Sequence, residues 1–341
     1  MQAAAGPLNL ITDVPGLSVG QADDAASRSG VTVILPDERV VCGVDARGGA
    51  PGTRETDAVA PDTLVEAVDA IVLAGGSVFG LAAADGVATW LAARGRGYRI
   101  GGASGPPPSP VVPAAILYDL ANGGDKAWGL DPPYRRLGMD AADGAGRSFI
   151  LGAAGAGSGA MAGALKGGIG SSSAITHDGF TVGAVAAVNS FGSVVAPGVR
   201  AFWAAPFEVG SEFGGVAIGE ARGAPDDWGP AKVNPTRGAN TTLACVATDA
   251  ILTPSQARRL AIMAQDGLAR AIRPAHSPFD GDIVFALATA RRPMPSNMGD
   301  FTLARLGALA ADCLARAIAR GVYEAKAWPG SGVRAWRDTG W

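Results

Sequence analysis

Asn240-Thr241-Thr242-Leu243-Ala244-Cys245-Val246-Ala247-Thr248 marks an abrupt change of character in this chain of 341 residues. Upstream, residues 220–240 carry Gly223, Pro225, Gly229, Pro230 and Pro235 and read as an exposed polar linker. From 242 to 248 the residues are small, β-branched or apolar, which predicts a buried strand. A helix is expected next. Thr253 supplies its N-cap, Pro254 fits its first turn, and Ala257, Leu260, Ala261, Ala264, Leu268 and Ala271 fall on one face. Asp280-Gly281-Asp282 then precedes an apolar strand over 283–287. A further helix over about 301–320 presents Leu303, Leu306, Ala310, Cys313, Leu314 and Ala317 on one side.

The alternation continues toward the N-terminus. Strands are expected over 31–35, 40–44, 70–73, 149–152, 182–188 and 200–203. A long helix should follow Gly75-Gly76, with Ser77 as N-cap, and run through Leu91. Phe79, Leu81, Ala82, Val87 and Trp90 surround it with apolar groups, which predicts a buried central helix. Residues 101–113, rich in Gly and Pro, are expected to be loop. With 48% apolar and only 17% charged residues, the chain reads as a compact α/β body with a sizeable core.

A net charge of −3 without any Lys/Arg run offers no basic face for phosphates, so nucleic acid is not an expected partner. No stretch reaches the roughly 20 continuous apolar residues that a membrane span requires. Residues 1–7 have neither the basic start nor the apolar core of a secretory signal, and a cytoplasmic protein is expected. Cys42, Cys245 and Cys313 stand apart in apolar surroundings, as small buried hydrophobes of a reducing compartment do.

The chain has two histidines, His177 and His276, and neither lies in a helix-borne metal motif, so no metal and no cofactor is expected. His276 lies shortly before Asp280, which makes a His–carboxylate pair conceivable. A G-x-S-x-G elbow is approached only around Ser158, where Ala156 and Ala160 replace its glycines. Gly155-Ala156-Gly157-Ser158-Gly159-Ala160 matches the dinucleotide pattern G-x-G-x-x-A and offers a nucleotide-binding alternative. A chain this rich in Gly and Ala produces such a match by composition, and Gly163, Gly167, Gly168 and Gly170 would break the helix it should open.

Four further features admit two readings each. Asp280-Gly281-Asp282 is an ordinary turn, or a carboxylate pair on one side of a strand that could hold a free α-ammonium group. Lys166, the only lysine between 149 and 175, is a solvated loop tip or a cation that stabilises developing negative charge. Asn189 is a turn former or an oxyanion donor. Tyr118, after Ile116-Leu117, reads by itself as an amphipathic core residue.

Taken in order, Val44-Asp45-Ala46-Arg47-Gly48-Gly49, Leu73-Ala74-Gly75-Gly76-Ser77, Phe79-Gly80-Leu81, Tyr118-Asp119, Asn240-Thr241-Thr242-Leu243, Val246-Ala247-Thr248-Asp249-Ala250 and Asp280-Gly281-Asp282 form a recognisable set. The set resembles the L-aminopeptidase/D-esterase family of self-processing N-terminal-nucleophile hydrolases, which includes β-peptidyl aminopeptidases and nylon-oligomer hydrolases. The likeness spans nearly the whole chain. It implies a layered αββα sandwich, a cut between Asn240 and Thr241 into fragments 1–240 and 241–341 that stay one folded domain, and a homo-oligomer of four or more subunits. By resemblance Thr241 is the nucleophile, Lys166 the supporting lysine, Asn189 the oxyanion asparagine, and Tyr118 a tyrosine near the oxyanion in some relatives. Asp280 and Asp282 match the acidic pair of the nylon-oligomer branch. Aminopeptidase branches carry a serine nucleophile, and a serine and a glutamate in place of that pair, so the chain departs from a simple aminopeptidase.

The chemistry is consistent with few histidines. A hydroxyl one residue past a carbonyl can attack it through a five-membered ring, and a well-held intramolecular attack reaches effective molarities of about 10⁵ M or more. The α-amine so freed titrates near pH ~8 and can take the hydroxyl proton itself. Either Thr241 or Thr242 satisfies that argument alone, and the family spacing to Asp280 selects Thr241. The expected substrates are small amides or peptides, α-peptides and ω-amino-acid oligomers remaining unranked. Besides the nucleotide-binding alternative, an unprocessed assembly protein without activity stands as a third reading.

Overall fold

A computed structural model of the chain describes residues 3–100, 105–219, 227–232 and 240–338. Among these residues the first of two five-stranded sheets runs in the order β1 (Leu17–Asp24), β2 (Ser29–Pro36), β5 (Ile71–Ala74), β6 (Ala114–Ile116), β4 (Thr53–Arg54). The second runs β3 (Val41–Ala46), β12 (Ile283–Arg292), β11 (Thr241–Ala250), β10 (Thr181–Asn189), β9 (Gly168–Ile175). A small ribbon pairs β7 (Met161–Ala162) with β8 (Leu165–Lys166). Helices α1 (Ala82–Ala93) and α2 (Tyr134–Asp143) pack on the first sheet, and α3 (Pro254–Ala264), α4 (Asp266–Ala271) and α5 (Gly299–Tyr323) on the second.

Three clusters of buried side chains define the layers as α-β-β-α. Leu243, Cys245, Ala247, Phe285 and Leu287 of the second sheet meet Ile34, Ile71 and Leu73 of the first. Ala244, Val246 and Ala250 instead meet Leu260, Leu306 and Leu314 of the helices. Successive side chains of a strand point to opposite faces, so β11 feeds both cores at once. The same parity puts Thr241 on the inter-sheet side and Thr242 on the helix side. All three cysteines lie in these cores as free thiols, and burial pushes Cys42 up to about 12 and Cys313 up to about 11.

Two pairings position the functional residues. β10 runs antiparallel to β11, with Asn189 opposite Thr241. β12 runs parallel to β11, with Leu243 opposite Ile283. Parallel neighbours begin at the same end of a sheet, so the residues just before β12 come to lie beside the start of β11. Thr253 caps α3 as expected, in a reciprocal capping box with Gln256.

Several expectations are corrected. Residues 149–152 form no strand: Gly152 turns at φ +88°, where a Cβ would lie 2.3 Å from the Glu324 carbonyl oxygen. Residues 200–203 make only a single bridge, Val195 to Phe202. Ser77 does not cap a long helix. It follows Gly76, which is left-handed at φ +80°, and begins a 3₁₀ segment (Ser77–Leu81) before α1. That helix is not central either, because Ala83, Ala84, Val87 and Leu91 are buried while Asp85, Thr89 and Ala93 are exposed. The expected helix breakers Gly168 and Gly170 instead belong to β9, where a Cβ on Gly170 would lie 1.9 Å from the Ala317 carbonyl of α5. Within the linker, residues 220–226 and 233–239 lie outside the described residues, Ala231 and Asn240 are buried, and Lys232 is half-buried.

Phe285 fills the layer between the sheets and is fully buried. Phe285→Ala should cost about 3–5 kcal/mol of stability, read as a lowered urea midpoint with an unchanged slope.

Candidate active site

Thr241 sits at the first position of β11 and is almost wholly buried. Its hydroxyl donates to the carbonyl oxygen of Asn240, the residue before it. The backbone N–H of Gly281 donates to the same oxygen at 2.9 Å. Only glycine fits at 281, since a Cβ there would stand 2.7 Å from Thr241 Oγ1 and 2.7 Å from the Ala50 carbonyl oxygen. Thr242 offers no comparable geometry. Its hydroxyl is buried without a partner among the described residues, and its N–H donates to Asp282 Oδ1 at 2.8 Å.

The two carboxylates lie in the turn before β12, not on the strand, so neighbouring groups orient them instead of strand alternation. Asp280 accepts from Phe191 N at 3.0 Å through one oxygen, and from Ser277 N at 3.2 Å and the Ser277 hydroxyl through the other. Asp282 Oδ2 accepts from the His276 N–H at 3.0 Å and meets His276 Nδ1 at 3.0 Å. Both are buried. Burial, and then the charge of Asp282, raise the Asp280 carboxyl above the usual range, while the Ser277 and Phe191 donors oppose that rise. The conceivable His–carboxylate pair therefore exists, and it joins His276 to Asp282. Sequence reasoning missed Phe191 as a partner of Asp280, because no local motif signals a contact made across 89 residues, and it missed Ser277, whose position three residues before the carboxylate was the one local signal.

Asn189 faces Thr241 across the β10–β11 ladder. Its Oδ1 accepts from Met161 N at 2.9 Å, and its Nδ2 donates to the backbone carbonyl of Tyr118 at 3.1 Å. The link to Tyr118 thus runs through the main chain. Met161 pairs in turn with Lys166 in the β7–β8 ribbon. Lys166 is no solvated loop tip. It is buried, and its ammonium donates to the carbonyls of Gly157, Ala160 and Gly167 at 3.0, 2.9 and 2.8 Å. Burial lowers it to about 7, opposed by the charges of Asp119 and Asp23.

A second lysine was not singled out by sequence. Lys232 Nζ lies 2.7 Å from Asn240 Oδ1 and 3.4 Å from the Asn189 carbonyl oxygen. Burial lowers it also to about 7, against the pull of Asp280. Its position in a Pro/Gly-rich linker concealed it. The Gly155–Gly157 segment is a single buried 3₁₀ turn, and a Cβ on Gly157 would collide with the backbone of Gly168 and Ile169. Those glycines serve close packing, and no helix opens from them to receive a phosphate. Among the described residues no helix is long and apolar enough to cross a membrane.

A buried hydroxyl is therefore held against a peptide carbonyl that a backbone N–H already polarises, beside two buried carboxylates. Comparison with known proteins points the same way. The sequence pattern of Peptidase family S58 matches residues 9–335. An "uncharacterized aminopeptidase" of Mycobacterium tuberculosis is 44% identical, with 97% of this chain and 98% of that protein covered. A 6-aminohexanoate-oligomer endohydrolase of Kocuria sp. is 29% identical, covering 84% and 77%. Among solved structures, the L-aminopeptidase D-Ala-esterase/amidase of Ochrobactrum anthropi, described as a variant of the Ntn hydrolase fold, superimposes with a TM-score of 0.70 at 21% identity, covering 98% of this chain and 93% of that one. A Burkholderia sp. β-aminopeptidase gives 0.70 at 22%, covering 100% and 97%.

The lowered Lys166 fixes the sign of a pH effect. In the unfolded chain a lysine keeps its proton to about pH 10.4, so between about 7 and that value the unfolded state binds more protons and stability rises with pH. Unfolding the wild type and Lys166→Met at pH 7, 8, 9 and 10 should show the stability difference, wild type minus variant, growing as pH rises.

Proposed function

The chain belongs to peptidase family S58 and is a peptide or amide hydrolase, and we propose that it cuts itself between Asn240 and Thr241 and then uses Thr241 as an N-terminal nucleophile. One observation carries this reading: the Thr241 hydroxyl rests on the Asn240 carbonyl whose oxygen accepts the Gly281 N–H. Attack of Oγ1 on that carbonyl carbon passes through a five-membered ring, and the developing oxyanion already has a donor in place. The C–N bond breaks, an ester forms, and the Thr241 nitrogen takes the proton. Water then hydrolyses the ester and frees the amine.

In the mature enzyme that amine serves as the base for its own hydroxyl. Asp280, which bridges to Asn240, and Asp282, which accepts the Thr242 N–H, lie at the strand start and in this account hold the amine in its protonated form after transfer. Asn189, opposite Thr241, donates to the tetrahedral oxyanion, an interaction worth ~3 kcal/mol per donor. The Tyr118 hydroxyl is proposed as a second donor. Lys166 acts at one remove: its ammonium ties down the segment from Gly157 to Gly167, including Met161, whose N–H orients Asn189.

The substrates proposed are short amides and peptides with a free amino end, and ω-amino-acid oligomers of the kind named in the 6-aminohexanoate relative. Fragments 1–240 and 241–341 remain together as one domain in this account, since β11 lies between β10 and β12 in one sheet. A homo-oligomer of four or more subunits is proposed from the family resemblance, and light scattering of the purified protein tests it.

Thr241→Ala should remain a single chain by denaturing mass spectrometry and show no turnover of an L-amino-acid amide, a β-peptide or a 6-aminohexanoate oligomer. Thr242→Ala should still yield two fragments. Processing in the first variant, or its loss only in the second, would move the nucleophile elsewhere.

A further inference from the structure

Lys232 takes no part in the chemistry described above, yet it is held firmly beside the bond to be cut. The linker piece that carries it is docked. The Trp228 ring meets Phe191 edge-on at 5.9 Å, the Pro230 carbonyl accepts from Ala164 N at 2.8 Å, and the Lys232 N–H donates to the Phe191 carbonyl at 3.0 Å. Phe191 is also the residue whose N–H binds Asp280, so one short loop orients both the carboxylate and the lysine. From that anchor the Lys232 ammonium reaches Asn240 Oδ1 at 2.7 Å. Asn240 itself is buried and bridges in parallel to Asp280.

We propose that Lys232 is a positioning residue for self-cleavage, gripping the Asn240 side chain so that the scissile carbonyl stays between the Thr241 hydroxyl and the Gly281 N–H. The inference rests on the self-processing reading and deepens it. The Gly281 N–H and the Thr241 hydroxyl both meet the carbonyl oxygen, but contacts that converge on one atom leave the peptide free to pivot about it. A second grip on the same residue's side chain removes the pivot, and small losses of alignment sharply lower the rate of an intramolecular attack. No bond to Lys232 forms or breaks. A lysine amine keeps an N–H to donate whether charged or neutral, so the grip survives the lowering of its pKa. After the cut, Asn240 becomes a chain end and the work of Lys232 is complete, so the residue serves maturation and not turnover.

The test follows fragment appearance in freshly synthesised full-length chain. Lys232→Met should slow cleavage at least tenfold, and Lys232→Arg should restore most of the rate. Asn240→Ala should slow it similarly, and the double variant Lys232→Met/Asn240→Ala should be no slower than the slower single variant, because both remove one contact. Turnover per mole of cleaved Lys232→Met chain should stay within about twofold of wild type. Where the Met variant fails to fold, Lys232→Gln replaces it in the same cycle. Wild-type cleavage rates in Lys232→Met, additive effects in the cycle, or turnover falling in step with cleavage would each overturn the proposal. Thr241→Ala is followed in parallel. If it stays intact while Lys232→Met cleaves normally, only this inference fails; if it cleaves, the nucleophile reading fails first.

Discussion

The site depends on the parallel pairing of β11 with β12. Leu243 lies opposite Ile283, and that register brings the turn Asp280-Gly281-Asp282 against the bond between Asn240 and Thr241. Parallel strands share a starting end, so two segments 40 residues apart present their entries together. The Gly281 N–H on the Asn240 carbonyl is both the last rung of this pairing and the contact that polarises the carbonyl. Moving β12 by one residue would flip its buried set to the wrong face, and the inter-sheet packing of Phe285 and Leu287 resists such a shift.

Burying two carboxylates and two lysines at the end of a sandwich is costly unless each charge finds partners. Backbone groups supply many of them here. Asp280 receives N–H groups from Phe191 and Ser277, Asp282 from Thr242 and His276, and Lys166 meets three carbonyls. Groups anchored in this way cannot swing freely, which is the preorganisation that charge development in a transition state requires. The cost appears in the raised Asp280 and in the two lysines lowered to about 7.

The glycines follow the same logic of close approach. At 281 there is no room for a side chain beside the Thr241 hydroxyl, and at 170 none beneath α5. In the sequence alone both looked like turn or breaker signals, since a glycine reports freedom of backbone and lack of bulk by the same letter. That ambiguity hid β9, whose run Gly168–Ile175 carries three serines, and lent 155–160 its accidental likeness to a nucleotide loop.

Period-two strands, the capped helix α3 and the long helix α5 were legible locally, because side-chain alternation and capping act within a few residues. The ordered motifs carried the family resemblance, and with it the layered sandwich and the choice of Thr241. Tertiary structure alone decided that α1 is an outer helix, that Lys166 is buried on carbonyls, that Tyr118 meets Asn189 through its main chain, and that His276 and Lys232 join the site. The Tyr118–Asn189 link and the packing of α1 join segments distant in the chain, and the shorter-range contacts of Lys166, His276 and Lys232 form in loops whose shape is set by what they pack against. Hydrogen bonds and burial of either kind leave no periodic trace in the order of residues, and only the packing of the two sheets brings the partners within reach.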